Sequence, residues 1–371
     1  MKKKDNTAPV REFHANELSE GTKKSMKERI ISAVVMIALV VPALILGDWI
    51  YMAIMTVVIA FACYEILGCA GKRTILLYVI YFIFVALIAY WPIFRGLLKE
   101  GSDFSKPDPY FSSIYLPILI IVVGSFLLLW LTVVYKDFSV VDASFLALMA
   151  ILIGLGFQAL FFLRYYPISI ISSAVTTDAL HFTVDNTLKP SLFLLFIIVS
   201  TILTDTGAYF VGVFFGKHKM NERISPKKTW EGFWGGIIVS FILTSVIGIA
   251  FAFSDNPVLP IADGTYVNPA DASQRIPLLN VSVFDKDHWY YILIISAIIP
   301  FFATLGDFAF SSIKRYWGIK DYGKLIPGHG GVLDRLDSIF FTAIVTAIFV
   351  YMVNTVMTRD IMWKEIASIL V

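Results

Sequence analysis

Charge is scarce in this chain: Asp, Glu, Lys and Arg make up 16% of its 371 residues, against 58% hydrophobic, and the mean hydropathy is +0.77. So little charge excludes an ordinary water-soluble protein of this length and points to an all-α integral membrane protein. Cysteine is nearly absent. Cys63 and Cys69 lie in or at the end of one apolar run, at a spacing that suits neither a metal cluster nor a disulfide framework, so both read as small packing residues. Internal repeats and low-complexity runs are missing too, which removes a common sign of a secondary transporter. No A-x-A-like cleavage site follows the polar, basic residues 1–29, so they are expected to remain as a cytoplasmic tail rather than serve as a secretory signal.

Long apolar runs are what the chain has in quantity. About nine can cross ~30 Å of hydrocarbon, near 30–46, 49–67, 75–94, 112–135, 143–163, 192–215, 233–253, 290–310 and 338–357. The first two, joined at Gly47-Asp48, should form a helical hairpin. One side of the membrane then receives the basic tail, Lys72, Arg73, Lys136 and the Lys/Arg clusters of 217–228 and 314–335. The other side receives Arg95, Lys99, Lys106, Arg164, Lys189, Arg275, Lys286, Arg359 and Lys364. The bias puts the N-terminus in the cytoplasm and the C-terminus outside. The expected organisation is a tail (1–29), N-terminal transmembrane helices (30–190), a catalytic transmembrane region (191–357) with cytoplasmic loops 216–232 and 311–337, and a short tail (358–371). Loops 164–190 and 254–289 should face out, the latter as a surface excursion. The first five spans carry almost nothing ionisable except Glu65, near the cytoplasmic end of its segment, which suits a site contact and at least as well a cap or a lipid-interface position.

Polar chemistry concentrates in 311–337, between two apolar runs. Lys314, Arg315, Lys320 and Arg335 can neutralise phosphates, Gly330 and Gly331 can offer exposed backbone N–H groups, and paired carboxylates can hold a metal. Such density beside a span reads as a phosphate site at a membrane surface. Asp334 and Asp337 fall on one face if the last helix has begun there, and then need a cation such as Arg335 between them. Asp321 lies in the same segment, and His329 could be structural, a general acid or a phosphate ligand. Upstream, Asp205 sits inside an apolar run, at an insertion cost of ~2.5–3.5 kcal/mol. Its helical stripe Thr201, Asp205, Ala208, Gly212 reads as a packing seam or a cavity lining, and the carboxylate favours the cavity. Thr304, Asp307, Ser311 and Lys314 form a second polar stripe. In 216–232, Ser225 and Thr229 can donate to phosphate, Lys227 and Lys228 supply charge, and Gly232, Gly235 and Gly236 permit close backbone approach.

These residues resemble the signature of the phosphatidate cytidylyltransferases, or CDP-diacylglycerol synthases. It runs Ser-x-apolar-Lys-Arg, four residues, Lys-Asp, then His-Gly-Gly-apolar-x-Asp-Arg-apolar-Asp. Ser311, Ile313, Lys314, Arg315, Lys320, Asp321, His329, Gly330, Gly331, Val332, Asp334, Arg335, Leu336 and Asp337 fill it, and the likeness covers roughly 200–340. The resemblance implies cytidylyl transfer from CTP to phosphatidic acid, a divalent cation (normally Mg²⁺), a homodimer in the plasma membrane with its site on the cytoplasmic side, and no nucleic-acid partner. The lipid phosphate is itself the nucleophile, so catalysis should rest on alignment and charge neutralisation. On that basis Asp205, Asp307, Lys314, Arg315, His329, Asp334, Arg335 and Asp337 are expected at the reaction centre. Asp205, Asp307, Asp334 and Asp337 are the metal candidates, with Asp321 less favoured. Ser225, Lys227, Lys228, Thr229, Lys320, Asp321, Gly330 and Gly331 are expected to hold substrate. The rival readings are an ion-coupled transporter, a CTP-dependent polyprenol kinase and an ether-lipid cytidylyltransferase.

Overall fold

The computed structural model describes residues 31–32, 34–36, 38–44, 48–91, 110–165, 184–253, 289–328 and 330–369. Its helices are α1 (Asp48–Cys69), α2 (Ile75–Ala89), α3 (Tyr110–Val134), α4 (Val140–Tyr165), α5 (Val184–Phe215), α6 (Trp230–Phe253), α7 (Tyr290–Tyr316) and α8 (Leu333–Ile369). Among the described residues, seven stretches are long and apolar enough to span: Ile50–Cys69, Pro117–Val134, Val140–Arg164, Phe193–Phe215, Trp230–Ala250, Tyr290–Tyr316 and Leu333–Val353. Helix α2 and a stretch at Val34–Leu44 are apolar but shorter. A 15-residue helix such as α2 reaches only about 22 Å at 1.5 Å per residue. All nine apolar runs therefore contain helix, and seven have spanning length. In hydrocarbon every backbone polar group must be satisfied within the segment, so an apolar run of this kind has little alternative to helix.

Helix α4 is central, packing against α1, α2, α3, α5 and α8. Its Phe157 meets Phe340 of α8 edge-on, with ring centroids 5.0 Å apart, and Gly156 leaves room for the same Phe340 ring. Helices α5 and α6 form the most extensive pair, through a small-residue seam. Gly236 lies against Ala208 and the Thr204 carbonyl, while Gly232 approaches Gly212. Lipid gives helices no hydrophobic reason to associate, so close backbone approach and buried hydroxyl pairs hold such seams. Thr204 Oγ1 donates to Ser240 Oγ (3.0 Å), which donates to the Ser200 carbonyl (3.0 Å).

The all-α expectation holds in the spans and needs one correction between them. Loop 216–232 contains an antiparallel hairpin, β1 (Lys219–Asn221) with β2 (Ser225–Thr229). Asn221 Oδ1 closes its turn by accepting from the N–H groups of Arg223 (3.1 Å) and Ile224 (3.2 Å). Helix boundaries also move. Helix α7 continues to Tyr316, so its whole polar stripe is helical, and α8 begins at Leu333, so Asp334 and Asp337 lie in its first turns. Helix α8 persists to Ile369, through most of the expected tail, and α5 begins at Val184, inside the expected outer loop. The Gly47 turn, the basic tail 1–29 and residues 254–288 of the outer loop lie outside the described residues.

Several contacts bring the turns to one end of the bundle. Lys72, between α1 and α2, bonds the Asp137 carbonyl and pairs with Asp142 at 3.4 Å, next to the α3–α4 turn. Phe145 of α4 packs on Trp317 (4.9 Å between centroids), and Arg315 Nε donates to the Ile224 carbonyl of the hairpin turn (3.1 Å). The hairpin, the α1–α2 and α3–α4 turns and the segment 317–332 thus share one end.

Candidate active site

The last turns of α7 and the first turns of α8 form the frame. Ser311 Oγ donates to Asp307 Oδ1 one turn back (3.2 Å), as the stripe reading required. Lys314, the next member, is buried. Its Nζ donates to Asp334 Oδ1 at 2.9 Å and lies 3.7 Å from Asp337 Oδ2. A cation between the two carboxylates is therefore Lys314 from the neighbouring helix, while Arg335 is exposed. Three buried charges can coexist only because they compensate one another.

Asp334 is fully engaged. Beyond Lys314, its Oδ2 accepts from the N–H groups of Tyr322 and Gly331, each at 2.9 Å. Tyr322 donates its hydroxyl to the Phe310 carbonyl (3.2 Å), and burial pushes its pKa far above the usual range, so the phenol stays neutral. Asp334 thus clamps segment 321–331 onto α7. The metal expectation there meets a carboxylate with both oxygens occupied.

The glycine run also departs from expectation. Gly330 (φ +87°) uses the left-handed region open to glycine, and its N–H and C=O both pair with Ile326. The N–H of Gly331 goes to Asp334, and those of Val332 and Leu333 go to Glu65 Oε1 (2.8 Å) and Oε2 (2.9 Å). The donors expected to face a phosphate are therefore already taken, that of Gly330 by the Ile326 carbonyl and that of Gly331 by Asp334. A helix start packed inside protein cannot leave its first N–H groups unpaired. Gly232, Gly235 and Gly236 likewise serve the seam with α5, not a ligand.

Asp205 is exposed on α5. Its carboxylate feels the charges of Asp307, Lys228 and Arg335, and Asp337 feels both Asp307 and Asp205. Lys228 of β2 pairs with Asp307, its Nζ 4.6 Å above the Phe308 ring centroid. Helices α5, α7 and α8 and strand β2 so bring together Asp205, Asp307 and Asp337 with Lys228, Lys314 and Arg335. Among the described residues no three His, Cys, Asp or Glu side chains are close enough to hold one metal ion as placed. The all-oxygen donor set of Asp205, Asp307 and Asp337 nonetheless has the chemistry of a hard divalent cation site.

The remaining expected residues differ in their settings. Arg315 is a tether, donating to the carbonyls of Ile224 and Ile319 (3.0 Å). Thr229 is buried, and its Oγ1 accepts from the Gly232 N–H (3.2 Å), the geometry of a cap on α6. Ser225 is half-buried in β2, Lys227, Lys320 and Asp321 are exposed, and His329 lies outside the described residues.

Residues 27–353 match the model of the Cytidylyltransferase family. The chain belongs to that family. It is 31% identical over 317 residues to a phosphatidate cytidylyltransferase of Staphylococcus haemolyticus, covering 85% of this chain and 95% of that protein. The Staphylococcus aureus (strain COL) phosphatidate cytidylyltransferase is 29% identical over 318 residues, with the same coverage. A Staphylococcus saprophyticus protein of that name is 35% identical over 218 residues, a match spanning 58% of this chain and 63% of the relative.

Sequence reasoning missed two members of this region, Tyr322 and Glu231, and left a third, Glu65, open between a site contact, a cap and a lipid-interface position. Tyr322 supplies a backbone donor and a wall. Glu231 accepts from the N–H groups of Lys217 (3.1 Å) and His218 and from the His218 ring (2.6 Å), fixing the base of the hairpin. Glu65 caps α8 from α1; its isolation in an apolar run was the available signal. Beside the loop, an apolar groove of about 750 Å³ runs between Ile31, Val35 and Leu39 on one wall and Ala53, Val57 and Phe61 of α1 on the other, ending at Leu325–Pro327.

Proposed function

We propose that this membrane protein transfers a cytidylyl group from CTP to phosphatidic acid, giving CDP-diacylglycerol and pyrophosphate for phospholipid synthesis. One observation carries the reading: a chain of the cytidylyltransferase family gathers Lys228, Lys314 and Arg335 with Asp205, Asp307 and Asp337 at one end of an apolar bundle. A phosphate oxygen of the lipid attacks the α-phosphorus of CTP, a P–O bond forms, and the bond to the β-phosphate breaks as pyrophosphate leaves. No protein nucleophile takes part, so the work is alignment and charge neutralisation. Lys228 and Arg335, whose charges both reach Asp205, are suited to oppose the triphosphate, and Lys314 pairs with Asp337.

Asp205, Asp307 and Asp337 would hold a divalent cation, Mg²⁺ by the hardness of their oxygens, and it would offset phosphate charge. Asp334 and Arg315 act by holding the loop and the hairpin in register, and Gly330 and Gly331 by the shape they allow. The apolar groove ending at Leu325–Pro327 suits one acyl chain, since it adjoins the charged loop and presents almost no polar surface. The Lys/Arg bias supports N-terminus in, with this end of the bundle facing cytoplasmic CTP. The protein would act in the plasma membrane, as a homodimer.

The test uses purified protein in mixed micelles with α-³²P-labelled CTP, phosphatidic acid and Mg²⁺. Label should enter the organic phase as CDP-diacylglycerol with stoichiometric pyrophosphate, and EDTA should abolish it. Folded protein that forms no labelled lipid would sink the reading, and release of CDP with a phosphorylated lipid would favour a kinase.

A further inference from the structure

Glu65 belongs to α1, in the half of the chain that carries none of the charged motifs, yet its carboxyl group ends at the start of α8. It is 4% exposed. Each oxygen accepts one N–H: Val332 at 2.8 Å and Leu333 at 2.9 Å. Gly323 and Gly331 flank the carboxyl so closely that a Cβ on either would collide with it. Helices commonly cap their first N–H groups with a side chain of their own N-cap residue. Here the N-cap position is Val332, which has no acceptor, and the cap comes from 267 residues away. Asp334 is the second residue of α8 and Asp337 the fifth, so whatever sets the start of this helix sets where both carboxylates meet Lys314.

We propose that Glu65 is a positioning residue for the active site: its carboxyl fixes the start and rotation of α8 and so the placement of Asp337 against Lys314 and Asp307. The inference rests on the cytidylyl-transfer reading above. It couples the N-terminal half of the chain to catalysis, since a shift of α1 along the bundle would carry the start of α8 with it. Glutamine is the informative replacement. Its shape matches, but its amide offers one acceptor and one donor, so one of the two backbone N–H groups would face another N–H.

The experiment compares wild type, Glu65→Gln and Gly323→Ala in micelles, with kcat and both KM values taken per folded molecule. Hydrogen exchange is followed by mass spectrometry over 322–337. The expected result for both variants is a fall in kcat of roughly tenfold or more with CTP and lipid KM within about threefold of wild type. Exchange should quicken at 331–336 and stay unchanged in peptides from α5 and α6. A purely structural residue would instead lower the yield or melting temperature and leave kcat per folded molecule intact, and that result overturns the proposal. Unchanged exchange at 331–336 in Glu65→Gln overturns it as well. An inactive wild type would count against the cytidylyl-transfer reading, not against Glu65, whose role in holding the helix start is read by exchange alone.

Discussion

Asp334 and Asp337 stand one helical turn apart, contact the same lysine and have different tasks. Asp334 spends both oxygens on Lys314, Tyr322 and Gly331, whereas Asp337 has one oxygen on the Ser338 N–H and the other 3.7 Å from Lys314. Asp337→Asn should therefore leave the clamp standing and cost kcat roughly a hundredfold or more, since it removes charge at the reacting centre. Melting temperature and size-exclusion profile should match wild type; full activity would take Asp337 out of the reaction centre. Thr229 separates the two kinds of polar residue in the other motif. Thr229→Val keeps its shape and loses the cap, so unfolding should become easier by about 1 kcal/mol. The KM for CTP should not move, and a large rise would return Thr229 to the substrate site.

At the scale of elements, the hairpin and the groove are the two features that periodicity could not reveal. The hairpin delivers Lys228 to Asp307, and Arg315 ties its turn to the end of α7. The groove lies between α1 and the stretch before it. Val57→Trp should fill part of it without touching a charge. Lipid KM should then rise several-fold, about what a few lost apolar contacts are worth, with the KM for CTP unchanged. Equal effects on both substrates would show that α1 had moved and that no chain lies there.

Across the whole molecule, the contacts gather the charged turns at one end, which the proposed topology turns toward the cytoplasm. Lys217 and Lys320 are both exposed there. With Cys63 and Cys69 replaced by alanine, Lys217→Cys and Lys320→Cys should react with an impermeant maleimide only from the cytoplasmic face. Labelling of both from outside would invert the topology, and labelling from opposite faces would break the one-ended arrangement.

Membrane class, the positions of the helices and the two polar stripes were legible in the sequence, because hydropathy and the 3.6-residue period are local properties. Asp205 and Asp307 could be singled out for the same reason, since a carboxylate inside an apolar run is conspicuous wherever it points, and Asp337 stood out as one of a pair spaced for a single helical face. Local patterns carry no information on which distant group answers a charge. Arg335 was the adjacent cation along the chain, and Lys314, from another helix, pairs with both carboxylates in space. Gly331 could as well have offered its N–H to a phosphate, until Asp334 and Glu65 filled the donors around it. The Lys314 and Glu65 pairings join residues 20 to 268 positions apart, and only the packing of α1, α7 and α8 against one another decides them.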